Sequence, residues 1–252
     1  MNNSIVSDKA TIGKNVKIGN FCVIHDNVEI ADNTIIEDFC CIGVPNKNAT
    51  DKLKIGANSH IRGHSTFYEG SIIGDQLTTG HNTLIRENNL IGKNLQVGSY
   101  TELEGSIEIK DYVRIHSKAQ ISRRVKIGSF TYLFPRFQTS DDPLPPSHVA
   151  TPPIIGEMCI VSINSILMPG VTMGTGSFVG ACSVVKDDVP AVTCVAGNPS
   201  QKMCRIDQLR DFKNKIRHPW HNHFKDSYPE ESYPLMDLII EKMNEEIIKL
   251  KR

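Results

Sequence analysis

The stretch IGANSHIRGHSTFYEGSIIGDQLTTGHNTLIRENNLIGKNLQVG, residues 55–98, repeats itself every six residues. Its anchors are Ile55, Ile61, Phe67, Ile73, Thr79, Ile85, Ile91 and Val97, and the same step continues through Leu103, Ile109, Ile115, Ile121, Ile127 and Leu133. On the N-terminal side lie Val6, Ile12, Ile18, Ile24, Ile30, Ile36 and Ile42, separated by a short insertion near 44–54. Beyond a second insertion at 139–153 the register resumes at Ile155, Val161, Leu167, Met173, Val179 and Val185. Of these 27 positions, 26 are large and apolar. A chain that is 39% hydrophobic would place about ten there by chance. Four residues after an anchor the side chain is small or β-branched (Ala10, Val16, Cys22, Val28, Thr34, Cys40), and a glycine often follows the anchor directly. Short strands joined by tight corners satisfy both rules. Three hexads close an 18-residue coil, and coils stacked at the inter-strand spacing of about 4.8 Å give a parallel β-helix with an apolar interior.

Around that frame the composition excludes several classes. The formal charge is zero, which gives no global attraction to nucleic acid. No apolar run of 18 residues exists and no secretory leader is read at the start, so a soluble protein without membrane insertion is expected. Seven cysteines without a CxxC spacing suggest neither a disulfide framework nor a zinc ribbon, and point to a reducing cytoplasm. The expected organisation is a β-helix over 1–200 and a helical extension over 201–252. In the extension, IDQLRDFKNKI reads as a short helix, PWHNHFKDSYPEESYP as a connector and LMDLIIEKMNEEIIKLKR as an amphipathic helix. The last carries Leu235, Leu238, Ile239, Met243, Ile247 and Leu250, expected to pack on the prism base or on a neighbouring subunit.

Thr79 is the one anchor that fails, and it precedes Gly80-His81-Asn82. Rules broken locally tend to mark functional sites. Stepping by 18 places His64, His81 and His116 on one side of the prism, with Ser99 under His81 and the second insertion leaving from hexad 133 of the same face. By spacing alone, His81 reads equally well as a surface imidazole on a turn. Cys22 and Cys40, 18 apart at the small inward position, read as stacked buried thiols, and Arg86 with Glu104 as a rung-to-rung pair.

The repeat over residues 5–200 resembles the hexapeptide-repeat acyltransferases, which implies an all-β, left-handed parallel β-helix. TGHNTLIRENNLIGKNLQVG, TSDDPLPPS, GACSVVKDDVPAVTCVAGNP and PWHNHFKDSYPEE are similar to acetyltransferases that act on nucleotide-linked deoxy- or amino-sugars of surface glycans. The resemblance implies a homotrimer with sites between subunits, acetyl-CoA as co-substrate, a nucleotide-sugar acceptor, no metal, and His81 as general base. Such a base assists an amine or hydroxyl that must lose its proton as it attacks a thioester. Asn82 would orient the base or the acceptor. The N–H of Gly98 or Ser99 would stabilise the tetrahedral oxyanion. His64, His116, Arg86 and Glu87 are candidate acceptor contacts. Ser162, Gly180, Ala181, Asn198 and Lys202 are candidate CoA contacts; the basic residue expected after the AGNP turn comes one place late, at Lys202, with Arg205 as alternative. Seven Lys/Arg against two Asp over 202–225 fit an anionic donor. The rival readings are an acyl-carrier-protein-dependent acyltransferase, which needs a deep apolar groove, and a non-catalytic β-helix scaffold. A β-helix carbonic anhydrase lacks its third histidine, because Ile121 stands in the expected place.

Overall fold

Each hexad forms a strand of two or three residues followed by a corner, as in Ile72–Ile73, Thr78–Thr79 and Leu84–Ile85. The computed structural model describes residues 3–251 apart from 212, 214 and 219–224, and does not describe the side chain of 216. The PWHNHF part of the connector therefore lies outside the described residues. Parallel partners are 18 residues apart, with Thr66 paired to Leu84, Ile72 to Leu90 and Thr78 to Gln96. Three parallel sheets of ten, nine and eleven strands result among the described residues, the last closed by an antiparallel strand. The first face carries anchors such as Ile24, Ile85 and Ile121, the second Ile30, Ile91 and Ile127, the third Ile36, Val97 and Ile115. These anchors are buried and fill a single column. The expected β-helix is thus the fold.

The corners share one backbone device. The third residue after an anchor adopts positive φ, as at Asn58 (56°), Asn82 (56°), Asn88 (61°) and Asn94 (56°). Asparagine tolerates this region better than most side chains, which explains its recurrence there. The buried hydroxyls at the small inward position are satisfied in two directions. Ser65 Oγ donates to Arg62 O at 2.7 Å, and Ser71 Oγ donates to Arg86 O at 2.8 Å while accepting Asn89 N–H at 3.0 Å. Cys22 and Cys40 are buried as expected, and burial pushes the Cys40 thiol up to about 12.

Thr79 has a structural explanation. Its Oγ1 accepts the Arg62 N–H at 3.0 Å, a bond that the anchor carbonyl takes on the neighbouring rungs, for example Gly80 N to Val97 O. Thr139 does the same for Ser122 N–H at 2.7 Å and is itself a buried anchor in the strand Gln138–Thr139. The repeat therefore runs one hexad beyond Leu133, and the insertion begins after Thr139. Thr79→Val removes the acceptor from a buried rung and is expected to cost about 1–3 kcal/mol, read as a lower denaturation midpoint; Thr79→Ser should retain the bond.

Both insertions leave from the same edge. Cys41–Val44 and Leu53–Ile55 bracket the first, Gln138–Thr139 and Ile154–Ile155 the second, and in each case the chain passes from the first face to the second. The second insertion thus leaves the first face, not the third-face strand at 133.

The C-terminal segment differs from expectation at its start. Where a short helix was expected, Ile206–Gln208 form a 3-10 turn and Arg210–Asp211 pair antiparallel with Ile216–Arg217. The expected amphipathic helix is present as α1, Tyr233–Lys249. It buries Met236, Ile239, Met243 and Ile247, whereas Leu238 and Leu250 face outward. Its seat is the chain's own edge between second and third faces, on Tyr112, Phe130, Met158 and Val192. Gly176 accommodates it, because a Cβ there would collide with Met243.

Candidate functional site

The edge between third and first faces brings together most of the catalytic candidates. Asn82 N–H donates to Gly63 O at 3.1 Å, Tyr100 N–H to His81 O at 3.0 Å and Lys118 N–H to Ser99 O at 2.9 Å, so Gly63, His81, Ser99 and Ser117 occupy successive rungs. The His81 peptide is pinned further by donating its N–H to Ser99 Oγ at 3.0 Å. The His81 and Asn82 side chains are exposed. Gly63 leaves a notch beside the imidazole: a Cβ at Gly63 would lie 3.6 Å from His81 Nδ1.

Two hollows meet at this edge. A cleft of about 590 Å³ is lined by Lys17, Ile35, Glu37, Phe39, His64 and His81. A second, of about 240 Å³, is lined by Gly80, Gln96, Gly98, Arg114, His116 and Tyr132. Gly80 and Gly98 both line the second, and a Cβ on either would collide with the backbone of Ser99 or Ser117 on the next rung.

Between Gly98 and Ser99 the hydrogen bonds make a choice. Gly98 N–H is committed to Ile115 O at 2.7 Å, so it is not available to an oxyanion. Ser99 N–H meets no acceptor among the described residues, and neither do the Ser117, Ile163 and Ala181 N–H groups at the same register. Ala181 is five rungs from His81, about 24 Å along the edge. Ser162 and Gly180 flank the same run, but their N–H groups are used by Val179 O and Val195 O. Between the glycine hollow and Ser162 stands an aromatic wall: His116 stacks on Phe134 at 5.2 Å, and its Nε2 lies 3.0 Å from Tyr132 OH. Burial depresses the His116 pKa, favouring the neutral ring.

Glu37, His60 and Arg62 form a cluster beside His81 that spacing did not single out. Glu37 Oε1 lies 2.8 Å from His60 Nε2 and 3.3 Å from Arg62 Nη1, and its Oε2 accepts Gly63 N–H at 3.2 Å. Burial would raise the Glu37 pKa, but the hydrogen bonds from His60 and Gly63 and the Arg62 charge outweigh it and hold the carboxyl below its ordinary value. A depressed carboxylate stabilises the fold above its unfolded pKa of 4.5, and that stability is lost as pH falls through the lower folded value. The melting temperature of Glu37→Gln is therefore expected to fall less steeply than wild type on acidification below pH 4.5, measured by thermal scans at stepped pH.

Arg86 and Glu87 lie elsewhere, on the edge between first and second faces. Glu87 is fully buried, 3.3 Å from Arg86 Nε and 3.4 Å from Asn46 Nδ2 of the first insertion. Arg86 pairs with this neighbour and not with Glu104, which accepts from Gln120. Asn198 and Lys202 are exposed on the hairpin Thr193–Gly197/Ser200–Arg205. Arg205 is engaged by Asp207 at 3.0 Å, as is Lys251 at 3.3 Å. Among the described residues no cluster of three or more His, Cys, Asp or Glu could hold a metal, and no helix is long and apolar enough to cross a membrane.

Known proteins resemble parts of this chain. The family described as bacterial transferase hexapeptide (six repeats) matches residues 9–43 and 152–187. The chain is 27% identical over 190 residues to "Bifunctional protein GlmU" of Herminiimonas arsenicoxydans, covering 72% of this chain and 37% of that protein. It is 38% identical over 72 residues, 29% of each chain, to a 2,3,4,5-tetrahydropyridine-2,6-dicarboxylate N-acetyltransferase of Staphylococcus aureus. Among solved structures, PerB of Caulobacter crescentus in complex with CoA and GDP-perosamine aligns at TM-score 0.40 and 18% identity, over 55% of this chain and 56% of that one. The chain thus spans well under half the length of the GlmU protein it matches. The hexapeptide-repeat family model thus matches both ends of the prism, and the three parallel sheets between those ends keep the same repeat, so this chain is similar to the bacterial hexapeptide transferases along its β-helix.

Proposed function

We propose that this protein transfers an acetyl group from acetyl-CoA to an amino group of a nucleotide-linked deoxy- or amino-sugar for surface-glycan synthesis, with His81 as general base. The observation that carries the reading is the co-location of an exposed imidazole, a notch at Gly63 and an uncommitted Ser99 N–H on one edge. The imidazole takes the acceptor's proton as nitrogen attacks the thioester carbon. Ser99 N–H receives the developing oxyanion, and Asn82 orients base or acceptor. The tetrahedral centre then collapses, the carbon–sulfur bond breaks and CoA leaves. Holding both substrates in one cleft supplies much of the remaining acceleration. The donor lies along the Ser162, Gly180 and Ala181 run, with Asn198 and Lys202 near its phosphates, and His64 and His116 flank the acceptor. Arg86 and Glu87 belong to the anchoring of the first insertion in this scheme. Nitrogen is favoured as acceptor atom by the relative named as an N-acetyltransferase.

The working form in this proposal is a cytoplasmic homotrimer. Residues 140–153 leave from a different edge than His81, so their contribution to turnover would come from a neighbouring copy. Replacing 140–153 by a short Gly/Ser turn is expected to leave the melting temperature nearly unchanged and to lower turnover at least tenfold; unchanged kinetics would make the loop dispensable. Calorimetric titration with CoA tests the reading against a non-catalytic scaffold. Saturable binding with one site per chain is expected, and no heat of binding at millimolar CoA would overturn it.

A further inference from the structure

Cys194 and Cys204 are direct partners across the antiparallel hairpin that closes the third sheet. Directly opposed residues in such a ladder have Cα atoms about 4.5–5.5 Å apart, within the range a disulfide spans. Both thiols are free, Cys194 buried and Cys204 half-buried, so solvent reaches the pair through Cys204. Cys22 and Cys40 are also neighbours, but both are sealed in the prism core. We propose that Cys194 and Cys204 are an oxidant-responsive dithiol that closes to a disulfide when a peroxide reaches Cys204, tying the strand Ser200–Arg205 to the last coil.

The Cys204 sulfur attacks the peroxide O–O bond, forming a sulfenic acid and releasing one water. The Cys194 sulfur then attacks that sulfenic sulfur; the S–S bond forms, the S–O bond breaks and a second water leaves. The two thiols lose two electrons in all and hydrogen peroxide is reduced to two waters. Burial and the neighbouring Cys204 push the Cys194 thiol up to about 12. Cys194 is therefore the resolving thiol and Cys204 the one attacked.

The test uses the full chain carrying Cys182→Ser, which removes the exposed thiol. The native protein is treated with equimolar hydrogen peroxide, quenched with an alkylating reagent, digested and mapped by mass spectrometry. The expected result is a linked Cys194–Cys204 peptide pair, two hydrogens lighter than the dithiol and restored by dithiothreitol. Cys204 recovered as sulfinic acid beside an alkylated Cys194, or a linked pair involving any other cysteine, would overturn the proposal.

Discussion

His81→Ala is expected to lower kcat by about 10²–10⁴-fold while leaving CoA binding nearly unchanged. The backbone at this position is fixed independently of the imidazole, by Ser99 Oγ on its N–H and by Tyr100 N–H on its carbonyl. An exposed side chain contributes little to packing, so its removal should affect chemistry and spare the fold. His116→Ala should behave differently, because that ring stacks on Phe134 and lies beside Tyr132 OH. Its loss should appear first as lower stability. Single-turnover measurements with saturating acetyl-CoA separate the two effects. A loss below tenfold in His81→Ala would assign the proton to another acceptor, such as the departing thiolate.

Phe130→Ala is expected to destabilise the protein by about 3–5 kcal/mol, the upper range for a truncated core aromatic. Phe130 is fully buried, stacked on Tyr112 at 5.0 Å and met edge-on by Tyr228 at 5.3 Å. These rings belong to the buried cluster on which α1 packs, so the cavity would open within the cluster that also holds Met236 and Ile239. Phe130 also sits at a positive-φ corner (57°), where alanine gains nothing in backbone comfort. Denaturant unfolding followed by helix circular dichroism should show α1 released at lower urea than the β-helix. A variant within 1 kcal/mol of wild type would mean that α1 is held elsewhere.

The fold was legible because a period of six with apolar anchors leaves few alternatives, and a one-residue slip would turn every anchor outward. Thr139 escaped the count for a chemical reason: its hydroxyl does a backbone carbonyl's work, so an interior position need not be apolar. Thr79 is explained in the same way, which removes the argument from a broken rule and leaves the case for His81 on geometry. The cluster of Glu37, His60 and Arg62 was readable by stepping along the third face, with Glu37 and Arg62 each one residue past an anchor, but the first insertion interrupts the count between them. The segment from Met203 to Arg217 was not legible, because a hairpin against the last coil and a short strand pair have no period of their own. In α1 the helical period was plain, yet which residues face inward depended on the Tyr112–Phe130 platform, which admits Met236 and leaves Leu238 outside.

The central claim is acyl transfer at the His81 edge. It is tested most directly by incubating wild type and His81→Ala with acetyl-CoA and a panel of nucleotide-linked amino-sugars, followed by mass spectrometry. The account predicts that wild type adds one acetyl group to at least one amino-sugar, with release of CoA, and that the product is nearly absent with His81→Ala. Equal product from the variant, or a panel left unacetylated by a wild-type protein that also fails to bind CoA, would contradict it.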